Sequence, residues 1–234
     1  MESSRIPSPE AGHGGSALVL FSGGQDSTTC LFWAKEHFET VEALSLTYGQ
    51  RHVVEVEQAR KIAALAGVTL HERDLTGLLG GSALTESGDT NAPHALDESL
   101  PASFVPGRNA LFLALAASLA YTRGIHDIIG GMCEADYSGY PDCRLDFVRA
   151  MQESMSLALG RDVRLHTPLM HLTKAETWRL AADLGCLETV VEHSHTDYHG
   201  DRTERHDWGY GKLDNPASIL RAKGFDEARQ KGWV

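Results

Sequence analysis

The 234-residue sequence has few cysteines, no excess of positive charge and no long apolar run. Its four cysteines show no Cys-x-x-Cys spacing, which excludes a disulfide framework and predicts free thiols in a reducing compartment. With 32 acidic and 21 basic side chains, the net charge of −11 disfavours a general surface for duplex nucleic acid. Residues 110–121 are the most apolar segment, and they are too few for the ~20 residues of a membrane span. We therefore expect a soluble, cytoplasmic protein without a membrane partner.

A further absence concerns the loop at residues 18–27, which read LVLFSGGQDS. The Lys-Ser/Thr pair of a Walker-type loop is missing. An apolar run nevertheless ends in Ser-Gly-Gly and leads into a helix-compatible sequence. Glycines expose backbone N–H groups, and a helix start attracts anions, so this stretch predicts a phosphate-binding loop in which Asp26 could hold Mg²⁺. The alternative is an ordinary strand-to-helix turn whose serines cap the helix.

Strand-like and helix-like patterns alternate along the chain. We predict strands at residues 17–21, 41–48, 68–75, 126–132 and 163–166, and helices at 27–38, 53–66, 109–123, 145–159 and 173–184. This alternation is typical of an α/β fold with a doubly wound parallel sheet of five strands. Residues 76–103 lack periodicity and are expected to form a lid or mobile segment. We expect a flexible arm at 1–15, a nucleotide-binding α/β domain at 16–190 and a C-terminal helical and loop extension at 191–234.

The polar loops after these strands are expected to meet at one edge of the sheet. Ligands of open α/β sheets bind beyond the carboxyl ends of the strands, and residues 22–27, 48–52, 130–144 and 167–174 all follow strands. Residues 136–144 combine tyrosines, carboxylates and an arginine, which suits a planar heterocycle with an anionic group; the alternative is a hydrogen-bonded surface loop. Arg108 and Lys174 each begin a predicted helix, where a cation is unfavourable without an anion nearby. Either alone is typical of a surface charge, but together they indicate a phosphate or carboxylate ligand.

Several motifs together resemble one family over nearly the whole chain from about residue 17. They are FSGGQDS at 21–27, YGQRH at 48–52, FVPGRN at 104–109, GGM at 130–132, DYSGYPDCR at 136–144, TPL at 167–169 and TKAE at 173–176. They are similar to those of QueC, the 7-cyano-7-deazaguanine synthases of queuosine biosynthesis, which are PP-loop ATP pyrophosphatases with a HUP-like fold. The resemblance implies an ATP-dependent C–N ligase that forms AMP and pyrophosphate. Family members adenylate the carboxylate of 7-carboxy-7-deazaguanine, amidate it with ammonia, and dehydrate the amide to the nitrile after a second adenylation.

The resemblance also implies roles for individual residues. The residues expected to bind ATP, with Mg²⁺ held through Asp26 and the phosphates, are Phe21, Ser22, Gly23, Gly24, Gln25, Asp26, Ser27, Thr28, Tyr48, Gln50, Arg51 and Gly131. Those expected to bind the deazaguanine substrate are Asp136, Tyr137, Tyr140, Pro141, Asp142 and Arg144. The predicted catalytic residues, which act electrostatically and without a covalent enzyme intermediate, are Asp26, Arg108, Arg144 and Lys174. Cys143 is a tempting nucleophile, but a lone thiol without a paired base is more typical of a packing residue.

The C-terminal region departs from the family pattern. The family carries a zinc site of four cysteines, one in His-Thr-Cys-Tyr and three in Cys-x-x-Cys-x-x-Cys. Four other residues occupy these positions here: Asp197, Lys212, Asn215 and Ser218. We predict that zinc is absent and that an Asp197–Lys212 ion pair, with other packing or a protein partner, joins the two segments. The weaker alternative is a metal site rebuilt from Asp197 and four histidines: His193, His195, His199 and His206.

This departure leaves three interpretations open. In the first, the chain is a metal-free synthase that still makes the nitrile from ammonia. In the second, it conjugates the activated deazaguanine to another amine, on a protein or nucleic acid, with the C-terminal segment as docking surface; QueC-like proteins also occur in bacterial anti-phage gene clusters. In the third, it is a nucleotide-binding scaffold without turnover, against which the intact loop argues. We also expect a homodimer.

Overall fold

Five parallel strands form the centre of the computed structural model, which describes residues 15–49, 54–85, 92–94, 97–134, 140–197 and 200–234. In chain order the first seven strands are β1 Ser16–Leu20, β2 Thr40–Thr47, β3 Thr69–Asp74, β4 Pro93–His94, β5 Asp97–Pro101, β6 Asp127–Ile129 and β7 Arg164–His166. Five of them form a parallel sheet in the order β3-β2-β1-β6-β7, while β4 and β5 form a separate antiparallel hairpin. The predicted α/β fold with a five-stranded, doubly wound parallel sheet is confirmed.

Helices connect these strands and cover both faces of the sheet. They are α1 Gln25–His37, α2 Val54–Ala66, α3 Arg108–Arg123, α4 Leu145–Leu159, α5 Lys174–Asp183, α6 Leu187–His193 and α7 Pro216–Gln230, with a short 3₁₀ helix at Pro141–Cys143 and a hairpin of β8 Arg205–His206 and β9 Gly209–Tyr210. The predicted capping box of α5 is confirmed, because the Thr173 hydroxyl accepts from the Glu176 N–H and the Glu176 carboxylate accepts from the Thr173 N–H. In the described part of the chain, no helix is both long and apolar enough to cross a membrane.

The apolar core lies on both sides of β1. Ala17 and Val19 belong to one buried cluster with residues of α1 and α2, whereas Leu18 belongs to a second cluster with residues of α3. Burial of both strand faces is expected for a parallel sheet covered by helices. The predicted core stripe of α1 is buried in the first cluster: Cys30, Leu31, Ala34 and Phe38.

The strand order reverses at β1, and this reversal positions the site. The chain runs outward from β1 through β2 to β3 and then returns to β6 on the other side of β1. Open α/β sheets bind ligands in the crevice beyond the strand ends at such a switch point. The loop after β1 and the glycines Gly130 and Gly131 after β6 meet there.

The elements after α5 pack back onto it. The fully buried ring of Trp178 in α5 meets the ring of Phe225 in α7 edge to face, with centroids 5.0 Å apart. The same apolar cluster includes Cys186 and Val190 of the connecting segment. The domain boundary at residue 190 stays a prediction.

Candidate nucleotide and substrate site

The glycine loop, which we define as residues 21–24, packs so closely against α2 that Gly23 has no room for a side chain. Its φ of +83° is one that L side chains rarely adopt. A Cβ atom there would lie 2.8 Å from both the backbone nitrogen of Ala59 and the carbonyl oxygen of Glu55. The predicted glycine turn is therefore required by packing as well as by backbone conformation.

Two serine hydroxyls hold the glycine loop from within. The Ser22 N–H donates to Ser27 Oγ at 3.2 Å, the two Oγ atoms lie 3.1 Å apart, and the Gly24 N–H donates to Ser22 Oγ at 3.3 Å. A Cβ atom at Gly131 would lie 3.4 Å from Asp26 Cβ, so the glycines after β6 close the other side. Three further residues of the predicted ATP site are buried: Phe21, Gln25 and Thr28. The loop is thus preformed at the start of α1, where the helix dipole favours an anion.

Asp26 and Lys174 lie far apart in the sequence and meet beside the glycine loop. Lys174 Nζ donates to both carboxylate oxygens of Asp26, at 2.9 and 3.0 Å. Two predicted catalytic residues are therefore in direct contact. Mg²⁺ is commonly held by one or two carboxylates together with substrate phosphates and water. Asp26 fits such an ion as a single carboxylate that is shared with Lys174.

A second group of predicted residues lies after β2 and around the start of α3; we call Tyr48, Arg108, Tyr140 and Asp142 the front cluster. Arg108 Nη1 donates to the Tyr48 hydroxyl at 3.5 Å. Its guanidinium lies 5.9 Å from the ring centres of both Tyr48 and Tyr140. The Tyr140 hydroxyl in turn lies 2.7 Å from Ser103 Oγ. Aromatic faces stabilise a cation, so the cluster holds the Arg108 charge among rings that a planar ligand could also contact.

One carboxylate oxygen of Asp142 is buried without a hydrogen-bond partner among the described residues. The other oxygen accepts from the Asn109 N–H at 3.1 Å, and the Asn109 side-chain amide donates to the Asp142 carbonyl at 3.0 Å. These bonds fix Asp142 at the start of α3. An unsatisfied buried acceptor costs about 1–3 kcal/mol, so the free oxygen is suited to accept from a ligand N–H group.

The remaining predicted residues differ in placement. Pro141 begins the 3₁₀ helix, and Arg144 is exposed where α4 begins. Burial raises the pKa of the Cys143 thiol to about 11, which disfavours the thiolate and agrees with a packing role. Four predicted site residues lie outside the described residues: Gln50, Arg51, Asp136 and Tyr137.

Glu55, in the first turn of α2, is a charged neighbour of the front cluster that the sequence analysis missed. Burial raises the pKa of its carboxyl to about 7, and the charge of Arg108 opposes this shift. Burial also raises the pKa of Tyr48, again against the effect of Arg108. The pKa of Arg108 is itself raised, because Tyr48, Tyr140 and Asp142 outweigh the opposite effect of burial. A glutamate in a first helical turn is an ordinary helix-start feature, so no sequence signal distinguishes Glu55.

Of the four residues at the family's cysteine positions, three donate hydrogen bonds to the carboxylate of the fourth, Asp197. We call Asp197, Lys212, Asn215 and Ser218 the rear cluster. Asp197 Oδ2 accepts from the Lys212 backbone N–H at 3.0 Å, the Asn215 amide at 3.0 Å and the Ser218 hydroxyl at 3.2 Å. The predicted Asp197–Lys212 ion pair is therefore wrong, because Asp197 accepts from the Lys212 backbone N–H and the Lys212 ammonium pairs with Asp201 at 2.6 Å. The reason is the close approach of the chain at the preceding residue, where a Cβ on Gly211 would lie 3.1 Å from Asp197 Oδ2.

The rear cluster does not fit a zinc ion. It contains no thiolate or imidazole, and its one carboxylate oxygen near the other three residues already accepts three hydrogen bonds. No group of three or more His, Cys, Asp or Glu side chains suited to a metal occurs within the described ranges. Of the histidines considered as substitutes, His206 Nε2 lies 3.1 Å from the Gly211 carbonyl oxygen, and His199 lies outside the described residues. The absence of zinc stays a prediction.

Fold and site together define an α/β protein with a glycine loop at the switch point of its parallel sheet, where proteins of this class bind their ligands. Residues 16–229 match the family described as "Queuosine biosynthesis protein QueC", and the chain belongs to this family. The family predicted from the motifs is therefore confirmed, and the chain is an enzyme of the QueC type.

Relatives of known name resemble the chain over nearly its whole length. A protein named 7-cyano-7-deazaguanine synthase 1 from Rhodopseudomonas palustris is 50% identical over 229 residues, covering 92% of this chain and 95% of the relative. The 7-cyano-7-deazaguanine synthase of Wolinella succinogenes is 50% identical over 223 residues, covering 94% and 96%. Among solved structures, a 4-thiouridine synthetase–RNA complex with bound ATP has a TM-score of 0.49 and 17% identity, over 91% of this chain and 53% of that one.

Proposed function

We propose that this chain is an ATP-dependent ligase that converts 7-carboxy-7-deazaguanine and ammonia into 7-cyano-7-deazaguanine in the cytoplasm, releasing AMP and pyrophosphate. The names of its relatives support the reaction. The observation that supports the substrate is a buried oxygen of Asp142 near the Arg108 charge, which no described residue contacts by a hydrogen bond. A carboxylated deazaguanine offers N–H donors to the first and a carboxylate to the second, so one molecule satisfies both groups.

The chemistry requires two activations. Hydroxide is a poor leaving group, so the substrate carboxylate attacks the α-phosphorus of ATP, pyrophosphate leaves, and an acyl adenylate forms. Ammonia adds to the acyl carbon, a proton is lost and AMP leaves, which gives the amide. The amide oxygen then attacks a second ATP; loss of pyrophosphate, of AMP and of both N–H protons leaves the nitrile.

The described residues would act mainly by electrostatics. The N–H groups of the glycine loop and the start of α1 would hold the outer phosphates, with Lys174 placed to stabilise charge at the α-phosphate. Arg108 would hold the substrate carboxylate, and Asp142 would accept from the heterocycle. Mg²⁺, bound through Asp26 and the phosphates, would neutralise the charge of the departing pyrophosphate.

The test is a product assay with ATP, Mg²⁺ and 7-carboxy-7-deazaguanine, with and without ammonium, in which pyrophosphate is measured and products are identified by mass spectrometry. We expect nitrile and two pyrophosphates for each nitrile. The Lys174→Ala variant should lower kcat by about 10²–10³-fold, a typical cost of removing one group that stabilises transition-state charge. Lys223→Ala, on the exposed side of α7, is the matched control and should keep the activity.

The same assay separates the other interpretations, which the family match and the relatives do not support. Pyrophosphate release that ends at the amide, or at an adduct with an added protein or nucleic acid, would contradict the nitrile product. No AMP at all would contradict an enzyme that activates this substrate.

A further inference from the structure

The last helix, α7, presents four neighbouring positions to residues 194–197 and to Lys174. Asn215 caps α7, and Ser218, Arg221 and Gly224 follow at intervals of three residues, so each is next to the one before it on the helix surface. All four are buried. A buried series of polar and small residues, with an arginine in its centre, is unusual for a helix that only covers a core.

A short strap, residues 194–197, connects these positions to the glycine loop. The His195 N–H donates to the Gly23 carbonyl at 3.0 Å. A Cβ atom at Gly24 would lie 3.3 Å from the His195 carbonyl oxygen. The strap therefore contacts both glycines of the loop through its own backbone, and displacement of the strap would displace the loop.

Arg221 holds the strap on either side of His195. Its Nη1 donates to the hydroxyls of Ser194 and Thr196, each at 2.9 Å. Its Nη2 donates to the carbonyls of Val190 and Trp208, each at 3.0 Å. These acceptors are all uncharged, and within the described residues no carboxylate forms an ion pair with this fully buried side chain. Burial lowers its pKa to about 9, and the charge of Asp26, in the first turn of α1, opposes that shift.

Gly224 brings α7 into close contact with the side chain of Lys174, which lies beside the glycine loop. A Cβ atom there would lie 2.6 Å from Lys174 Cγ and 2.8 Å from Lys174 Cβ. The stem of Lys174 thus occupies the space that a side chain at position 224 would fill. From there its ammonium reaches Asp26 at 2.9 Å.

We propose that α7 forms the rear wall of the nucleotide site, with Arg221 positioning the glycine loop through the strap and Gly224 positioning Lys174. Both are positioning residues, since neither touches the reacting atoms. The inference rests on the proposed function in one respect, namely that ATP is the substrate bound at this loop.

The first test is the Gly224→Ala variant. Its rate of pyrophosphate release is measured while the concentration of ATP, and then separately that of the deazaguanine, is varied. We expect kcat/KM for ATP to fall at least about tenfold. Complete removal of one group that stabilises transition-state charge costs about 10²–10³-fold, and this substitution displaces the Lys174 ammonium without removing it. KM for the deazaguanine should stay within about twofold. Lys223→Ala on the same helix should match the wild type. Wild-type values for Gly224→Ala, or a rise in KM for the deazaguanine as large as the fall in kcat/KM for ATP, would overturn the inference.

The second test asks whether Gly224 acts through Lys174. In a Lys174→Ala background, Gly224→Ala should lower kcat/KM for ATP much less than it does in the wild type, because the displaced group is already gone. An undiminished effect would overturn the inference.

Arg221→Lys keeps the charge but not the planar fork, so it should raise KM for ATP severalfold in a folded protein. An unchanged KM for ATP would remove Arg221 from the proposal. Inactive wild type would instead refute the proposed function.

Discussion

The front and rear clusters differ in how fully their polar atoms are paired. In the rear cluster, Asp197 accepts three hydrogen bonds, at 3.0, 3.0 and 3.2 Å. In the front cluster, Arg108 makes one long bond of 3.5 Å to Tyr48. One oxygen of Asp142 has no partner among the described residues. Both clusters hold a buried carboxylate, but of the two, within the described part of the chain, only the front cluster has a buried carboxylate oxygen without a partner.

This difference indicates that the front cluster binds a ligand and that the rear cluster stabilises the fold. A fully paired buried network is stable by itself and costs much to break, whereas an incomplete one is penalised until a partner supplies the missing bonds. A binding site must keep unpaired groups for its ligand, and a structural closure has no reason to. Changes in the rear cluster should therefore reduce stability, and changes in the front cluster should reduce binding.

The largest expected effect is on stability and comes from Asp197→Ala. The substitution removes the shared acceptor of three donors, of which, among the described residues, only the Asn215 amide has other acceptors, so the free energy of unfolding should fall by about 2–5 kcal/mol. Urea denaturation followed by circular dichroism measures it. The control is Asp226→Ala, which removes an exposed carboxylate paired with Arg229 and should cost under about 1 kcal/mol. A loss below about 1 kcal/mol at Asp197 would mean that the rear cluster is not a closure.

The front cluster should respond in the opposite way to Asp142→Asn. The amide oxygen can still accept from the Asn109 N–H, so stability should change by less than about 1 kcal/mol. The new NH₂ group would replace the free oxygen and face the N–H donors of the heterocycle. We expect KM for the deazaguanine to rise about 10–100-fold while KM for ATP stays constant, because one specific polar contact is worth about 1–3 kcal/mol. Equal losses of stability and binding would remove the contrast between the clusters.

The fold was predictable because its signals are local. Alternating apolar runs and glycine turns indicate each strand and helix of the sheet, and Thr173 with Glu176 indicates the start of α5. Boundaries shifted where tertiary contacts decide them. The predicted strand at residues 126–132 is paired only at Asp127–Ile129. Met132 folds back so closely that its Sδ would lie 2.8 Å from a Cβ on Gly130.

The site residues that belong to sequence motifs were predictable, whereas those whose role depends on tertiary packing were not. The glycine loop, Asp26 and Lys174 belong to quoted motifs, whereas Arg221 and Gly224 lie in a helix whose interior glycine weakens any helical signal. Their role depends on how α7 approaches Lys174 and the strap, and no residue spacing within α7 encodes that approach. Glu55 is similar, since its pKa of about 7 arises from burial in the folded chain.

The contributions of Glu55 and His195, on the two sides of the glycine loop, to the free energy of unfolding should change with pH in opposite directions. The pKa of Glu55 is raised from 4.5 to about 7 when folded, so the folded state binds this proton more tightly. Its contribution to stability is therefore lost as pH rises from about 4.5 to about 7. Glu55→Gln should remove this loss, gaining about 1–3 kcal/mol on the wild type between those pH values in urea denaturation. A constant difference across the range would contradict it.

His195, in the strap behind the loop, supplies the opposite case. Burial, reinforced by the charge of Arg202, lowers its pKa from 6.5 to about 4. Here the unfolded state binds the proton more tightly, so stability is lost as pH falls from about 6.5 to about 4. His195→Gln should reduce that loss, whatever its effect at neutral pH. If the difference in stability from the wild type changed with pH in the same direction for both variants, the two sides of the loop would not be two electrostatic environments.

The smallest expected effect is that of a chelator on the wild type. The rear cluster closes on a carboxylate, so excess EDTA without nucleotide should shift Tm by less than about 1 °C, since no metal contributes folding energy there. A matched variant sharpens the test by returning thiols to all four positions: Asp197→Cys, Lys212→Cys, Asn215→Cys and Ser218→Cys. Because the four positions already converge, this variant should bind one zinc per chain under reducing conditions, and EDTA should lower its Tm by more than about 10 °C. Zinc in the purified wild type at one per chain, with a fall in Tm on its removal, would show that another set of residues holds the metal.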